Sequence, residues 1–130
     1  MLPFSVSFKP GLSVHEQVVY AVKKACVAGQ LRPGDPFPSV RALSQDLRIN
    51  PNTAHKVVGT LVGEGLLEVR PGIGTVVSRA PVATRGQRRT LLREETERLV
   101  VEARKLSLDL GEVVDAVKDQ WNKLDRRLEP

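Results

Sequence analysis

The N-terminal half of the chain alternates apolar stripes of helical spacing with breaks rich in proline and glycine. Val14 and Val18 begin the first stripe, which predicts a helix over about residues 14–28. Before that helix, the alternation of FSVSF at 4–8 predicts a short strand or an extended arm. The three prolines and one glycine of 31–38 then require a rigid loop.

Two further helices follow this loop, with a tight turn between them. Ser39 is the predicted N-cap of the first, whose Leu43 and Leu47 face inward. Asn50 is the predicted N-cap of the second, and Pro51 takes its first position, where the missing N–H has no cost. The order helix, turn, helix predicts a helix-turn-helix.

Two short strands joined by a glycine-rich turn come next. LLEVR at 66–70 and TVVS at 75–78 have strand character, and PGIG at 71–74 supplies the turn. A hairpin in this place is the wing of a winged helix-turn-helix. The predicted fold class is therefore mainly α with a small β-wing (α+β), and residues 1–79 form the DNA-binding domain.

The rest of the chain has a different pattern. Residues 80–89 contain proline, glycine and arginines without an apolar period, so we predict a linker there. Beyond it, apolar residues recur at alternating spacings of four and three over 90–106 and 111–128, which is typical of helices that pack on other helices. Because two such helices bury little by themselves, we predict a two-helix dimerisation tail over 90–130. The residues expected in the dimer interface are Leu99, Leu106, Val114, Val117, Trp121 and Leu124.

Charge supports this division of the chain. The sequence has 20 Lys+Arg against 15 Asp+Glu, a net charge of +5. Residues 1–84 carry nine Lys/Arg and five Asp/Glu, whereas residues 85–130 carry eleven and ten. Most of the positive surplus therefore accompanies the helix-turn-helix, and it favours a polyanionic partner such as double-stranded DNA.

Other kinds of chemistry find no support in the sequence. Cys26 is the single cysteine and His15 lies far from the other histidine, so we assign both to structure and predict no metal site. No nucleophile set, paired carboxylates or phosphate loop is present, and we therefore predict neither an enzyme nor a cofactor. Without a signal peptide or an apolar run of about 18 residues, we expect a cytoplasmic protein with no membrane contact.

The first turns of the second helix of the helix-turn-helix carry the polar side chains suited to the major groove. Asn52 can bond an adenine edge, Thr53 can contact a thymine methyl or a phosphate, and Lys56 can reach guanine or the DNA backbone. His55 lies among them and is a further candidate. Asn50 is also included, although its role as a helix cap alone explains it.

Three more DNA-binding candidates lie outside that helix. Arg41 is in the first turn of the preceding helix, where we expect it to approach the DNA backbone. In the wing, Arg70 and the turn at Gly72 can lie along a groove, because glycine lets the backbone come close to a phosphate. A tight turn explains the wing glycines equally well.

The segments PSVRALSQDL (38–47), INPNT (49–53) and EGLLEVRPGIGTVV (64–77) resemble the GntR family of bacterial transcription regulators. HEQVVYAVKKACVAGQLRPGD (15–35), the NPNT turn and the short tail are similar to its YtrA subfamily. The resemblance implies a homodimeric repressor of an inverted-repeat operator, often of an ABC transporter operon. It also implies DNA-facing positions at Arg41, Asn52, Thr53, His55 and Gly72.

The sequence departs from the family pattern at two positions. Asn52 stands where the family often has another polar or small residue, and Gly59 stands where the subfamily usually has alanine. The base preference therefore does not carry over. Two alternatives stay open, a winged-helix protein-interaction module and a regulator of the same fold that senses an effector or metal. The polar recognition turn disfavours the first, and solvated helix surface is the simpler explanation for the carboxylates of 94–102 that the second would use.

Overall fold

A computed structural model describes the backbone of residues 2–79 and 85–128, and the side chains of these residues as far as 124. The chain forms two compact units that separate between residues 81 and 82. The first unit contains α1 (Val14–Val27), α2 (Val40–Leu47), α3 (Pro51–Gly63), β1 (Leu67–Arg70) and β2 (Gly74–Val77). The fold is thus mainly helical with one two-stranded sheet, as the sequence predicts.

The first helix begins and ends close to its predicted bounds. The side chain of Ser13 accepts a hydrogen bond from the backbone N–H of Glu16 and caps α1. Val18 and Val22 are fully buried, whereas Val14 is 39% exposed, since the core begins one turn into the helix. The predicted stripe is therefore correct except at its first member.

The N-terminal residues form the extended arm, and no strand is present over 4–8. The arm is held by packing: the ring of Phe4 stacks on that of Phe37, with centroids 6.0 Å apart and an interplanar angle of 9°. Both rings are buried. Burial of the Phe4 ring therefore fixes this segment without a strand partner.

The turn between α2 and α3 is closed by local hydrogen bonds. Arg48 ends α2 in the left-handed conformation, with φ of 55°. The hydroxyl of Ser44 donates to the carbonyl of Ile49 at 2.9 Å. Asn50 then caps α3, and Pro51 begins it as predicted. These bonds set the direction in which α3 leaves the turn.

The wing is an antiparallel hairpin whose strands pair from Leu67↔Val77 to Arg70↔Gly74. Residues 34–37 of the preceding loop pair with its second strand. The N–H of Phe37 donates to the carbonyl of Thr75 at 2.9 Å, and the N–H of Val77 donates to that of Asp35 at 2.8 Å. Backbone hydrogen bonds to the wing therefore hold the predicted rigid loop in place.

One apolar core joins the arm, the three helices and the base of the wing. Its largest fully buried side chains are those of Leu31, Leu43, Leu61, Leu67, Val18, Val22 and Val57.

The second unit is helical from its first described residue. α4 (Arg85–Arg89) runs into a π-helical segment (Thr90–Glu95) and then into α5 (Thr96–Lys105), and α6 (Leu110–Leu128) follows a short turn. The predicted linker is therefore wrong over Arg85–Arg89, because arginine and glutamine are good helix formers that outweigh one glycine. Its other residues, 80–84, lie outside the described part of the chain.

A reciprocal cap begins α6. The N–H of Glu112 donates to Oδ1 of Asp109 at 2.8 Å, and the N–H of Asp109 donates to Oε2 of Glu112 at 2.9 Å. Before it, Ser107 takes the left-handed conformation, with φ of 61°. The turn between the two tail helices is thus set by its own residues.

Candidate nucleic-acid interface

Helix α3 has one buried face and one polar face. Ala54 and Val57 are fully buried, whereas Asn52, His55 and Lys56 are exposed. The spacing of 3.6 residues per turn separates the two sets, so burial of the first face presents the second to the outside. Three of the predicted base-reading residues therefore share one open surface.

Thr53 and Asn50 are placed differently from these three. Thr53 is half-buried at the edge of the polar face. Oδ1 of Asn50 accepts a hydrogen bond from the N–H of Asn52 at 2.8 Å, so it caps α3. The carboxamide nitrogen of Asn50 has no partner among the residues that the structure describes. That nitrogen is therefore the donor that Asn50 can offer to DNA while it caps α3.

Arg41 is the second residue of α2, and it is exposed. Ser39 caps this helix by accepting from the N–H of Ala42 at 3.1 Å. No carboxylate of the described residues forms an ion pair with Arg41. Its guanidinium is therefore free to meet a phosphate, the pairing that this group favours.

The wing contains a contact that the sequence reasoning missed. Nη2 of Arg70 lies 2.8 Å from Oε1 of Glu68, with 34% and 43% of the two side chains exposed. Residues two apart on a strand share a face, and this was the signal available in the sequence. Such a surface pair contributes at most about 1 kcal/mol, so a DNA phosphate can replace Glu68 as the partner of Arg70. Without DNA, Arg70 is paired.

The wing tip exposes an apolar side chain between two glycines. Gly72 and Gly74 have φ of 76° and 113°, and Ile73 between them is 71% exposed. No heavy atom lies within 4 Å of a Cβ built at either glycine. The glycines are therefore required by backbone conformation, not by crowding within the chain. The sequence predicts that this PGIG turn can lie along a groove, and the exposed Ile73 side chain gives its tip an apolar group.

Contacts from α1 hold α3 in position. Nε2 of His15 lies 2.9 Å from Oγ1 of Thr60, and Nζ of Lys23 lies 3.1 Å from Oε2 of Glu64. His15 therefore has the structural role expected of it. Cys26 is half-buried, and burial raises the pKa of its thiol, which disfavours the thiolate form that binds metals.

The described residues contain no cluster of three or more His, Cys, Asp or Glu side chains suited to a metal ion. Within the same residues, no helix has the length and apolarity to cross a membrane.

Residues 14–77, from the first residue of α1 to the last of β2, match the family described as "Bacterial regulatory proteins, gntR family". The chain is also 31% identical over 107 residues to the HTH-type transcriptional repressor YtrA of Bacillus subtilis, and the match covers 82% of each protein. The chain belongs to the GntR family. The resemblance to that family and to its YtrA subfamily is thereby confirmed, and this GntR protein is a transcriptional regulator with a helix-turn-helix DNA-binding domain.

One further relative and two solved structures are also similar to this chain. The uncharacterized HTH-type transcriptional regulator YhcF of Bacillus subtilis is 29% identical, with 82% of this chain and 85% of YhcF covered. A transcriptional antiterminator from Listeria monocytogenes has the same fold, with a TM-score of 0.79, 20% identity and coverage of 98% and 93%. YtrA from Sulfolobus acidocaldarius also shares it, with a TM-score of 0.53, 22% identity and coverage of 92% and 97%.

Proposed function

We propose that this protein is a homodimeric repressor that binds an inverted-repeat operator in double-stranded DNA. The observation that carries the proposal is the open polar face of α3. Asn52, His55 and Lys56 project from a helix whose opposite face is locked into the core. Side chains on a rigid element keep their positions, which reading of base edges requires.

Each DNA-binding candidate has a distinct role in this proposal. Asn52 reads a base edge with its carboxamide, and Lys56 contacts guanine or the backbone next to it. Arg41 binds a phosphate and fixes the register of α3 in the major groove. In the wing, Gly72 lets the backbone approach the DNA, while Arg70 exchanges its contact with Glu68 for a phosphate. Specificity thus comes from α3, and the other residues position it.

The tail supplies the second half of the proposal. Leu106 is 67% exposed and Trp121 is 70% exposed, and the other predicted interface residues are also open or half-buried. Ala103 is the one buried residue among the described side chains of the second unit. An apolar surface of this extent marks an interaction site.

A groove in the tail offers an apolar surface to side chains from a second copy of this chain. Its volume is about 430 Å³, and most of its lining residues are apolar. Two tails that pack as a four-helix arrangement would bury both stripes. The lining residues are Val100, Ala103, Arg104, Leu108, Asp109, Leu110 and Val113.

Repression and the nature of the target follow from the relatives. The Bacillus subtilis relative is a transcriptional repressor, and we assign the same sign of regulation to this chain. The family resemblance favours an operator in the promoter of an ABC transporter operon. Genes for a transporter ATPase and permease beside this one would support that target, and unrelated neighbours would contradict it.

The experiment that tests DNA recognition is fluorescence anisotropy with a duplex from the gene's own promoter, set against a duplex of scrambled sequence. We expect tighter binding to the promoter duplex and a steep loss of affinity as salt rises, because several phosphate contacts release counterions. Equal affinity for both duplexes would contradict sequence-specific recognition. Absence of binding at low salt would contradict DNA binding altogether.

A further inference from the structure

All of the chain's positive surplus lies in one stretch of its sequence. Residues 69–93 contain six arginines and no aspartate or glutamate, which leaves fourteen Lys+Arg against fifteen Asp+Glu in the rest of the chain. Residues 1–68 carry seven Lys/Arg against five Asp/Glu, so half of the surplus of four counted over 1–84 comes from Arg70 and Arg79. The stretch begins in the wing at Arg70 and continues past β2 into the second unit, where it ends at Arg93.

Three of these arginines form a single cationic face on α4. Arg85, Arg88 and Arg89 stand at positions i, i+3 and i+4, which are neighbours on a helix surface. All three are exposed, and none has a carboxylate partner among the described residues. Like charges at these spacings destabilise a helix. A bound anion would reduce the repulsion among these three arginines and so stabilise α4.

The carboxylates of the tail begin only after this face. Glu94, Glu95 and Glu97 follow within eight residues of Arg89, and Arg98 Nη1 already lies 3.9 Å from Oε1 of Glu95. Arg98 of α5 therefore has a carboxylate partner, whereas the three arginines of α4 have none among the described residues. The charge of α4 is directed at a partner outside the chain.

We propose that Arg85, Arg88 and Arg89 bind the phosphate backbone of duplex DNA beside the half-site that α3 reads. This inference rests on the proposed function, because the duplex must already be held by the helix-turn-helix. Six peptide units separate Arg79 from Arg85, a reach of at most about 20 Å. The covalent connection therefore allows α4 to contact a duplex that the first unit holds.

Phosphate is the partner that this chemistry selects. Arginine forks match phosphate oxygens bidentately, and three of them on one helix face meet successive backbone charges without reading a base. The face adds affinity to every duplex and no preference among sequences. The second unit would therefore contact DNA through α4, in addition to the contacts that the first unit makes.

The test compares the salt dependence of DNA binding for the wild type and the triple variant Arg85→Gln, Arg88→Gln, Arg89→Gln. The matched control is Arg98→Gln, Lys105→Gln, Lys118→Gln, which removes three exposed cations from the charge-balanced tail. The dimer loses three phosphate contacts in each protomer, so the slope of log affinity against log salt should fall by about 5.4 on promoter and scrambled duplexes alike. The control variant should keep the wild-type slope.

The length of the DNA supplies a second readout. On a duplex trimmed to the footprint of the half-sites, the difference between wild type and the α4 variant should vanish, because the flanking phosphates are gone. An unchanged slope on the long duplex overturns the inference while leaving the proposed function intact. A wild type that binds no promoter DNA instead overturns the proposed function. Sedimentation of both variants establishes that the oligomeric state is the same.

Discussion

Nε2 of His15 lies 2.9 Å from Oγ1 of Thr60, so a hydrogen bond joins the first turn of α1 to the recognition helix α3. A second tie, between Lys23 and Glu64, lies at the end of α3. Gly59 on α3 lowers its helix propensity by about 1 kcal/mol relative to alanine. The orientation of α3, the helix proposed to read DNA, therefore depends on its contacts with α1.

A double-mutant cycle tests the tie between His15 and Thr60. We expect His15→Ala and Thr60→Val each to lower the free energy of unfolding by about 1 kcal/mol, the usual net value of a hydrogen bond. The double variant should lose less than the sum, because one bond is removed in all three proteins. Urea denaturation measures the losses, with Tyr20→Ala, an exposed position of α1, as the control. Strictly additive losses would mean that the two side chains are not coupled.

Substitution of Asn50 separates its capping role from DNA contact. Asn50→Ala should lower the free energy of unfolding by about 1 kcal/mol, whereas Asn50→Ser should keep it, since serine also caps. DNA affinity measured on the serine variant then reports the carboxamide nitrogen alone. Native stability with weaker binding would assign that nitrogen to DNA. Equal stability of the alanine variant and the wild type would refute the cap.

The role of Asn52 predicts a loss confined to the cognate site. Asn52→Ala should weaken promoter binding by about 1–3 kcal/mol and relax the preference at one base position. The salt slope should not change, because the side chain is neutral. Binding to a library of single-base variants of the promoter duplex measures both effects, with Asn122→Ala in α6 as the control. A uniform loss on all sequences would argue against base readout.

Arg41 should act through phosphate, and its loss should therefore be independent of sequence. We expect Arg41→Ala to weaken binding to promoter and scrambled duplexes by the same factor and to reduce the salt slope by about 1 for each bound protomer. Arg32→Ala removes the same charge from an exposed loop position and should leave both unchanged. Loss on the promoter alone would instead place Arg41 on a base.

Dimerisation through the tail predicts a sharp effect of charge at Trp121. Trp121→Glu should give a monomer in sedimentation and weaker operator binding, since each monomer then holds one half-site. Its helix content should persist in circular dichroism, because the side chain is 70% exposed within a single chain. Asn122→Glu adds the same charge at the next position and should remain a dimer. A dimeric Trp121→Glu protein would refute the assignment of the tail.

Much of the fold could be predicted from interactions between residues that are close in the sequence. Ser13, Ser39 and Asn50 all cap helices as predicted, because a cap is set within four residues. The hairpin over 66–78 was equally visible, since its turn glycines and strand residues are adjacent in sequence. The polar face of α3 followed from helical periodicity alone.

Contacts between distant segments were not predictable in the same way. Nothing local marks Phe4 as the stacking partner of Phe37, or residues 34–37 as a pairing segment of β2. The helix at Arg85–Arg89 was missed because one glycine and a lack of apolar residues suggested a linker. DNA contacts and the dimer interface involve partners outside the chain. They remain predictions, which the experiments above test.

The pairing of residues 34–37 with β2 has a consequence for exchanging parts between relatives. The N–H of Phe37 and the carbonyl of Asp35 pair with main-chain groups of the second strand, so a wing transplanted as a hairpin alone keeps these bonds only where its backbone follows the same path. Buried backbone groups that lose their partners are costly. A chimera that borrows a foreign wing should therefore import the loop before α2 with it, so the smallest exchangeable piece of this regulator is discontinuous in sequence.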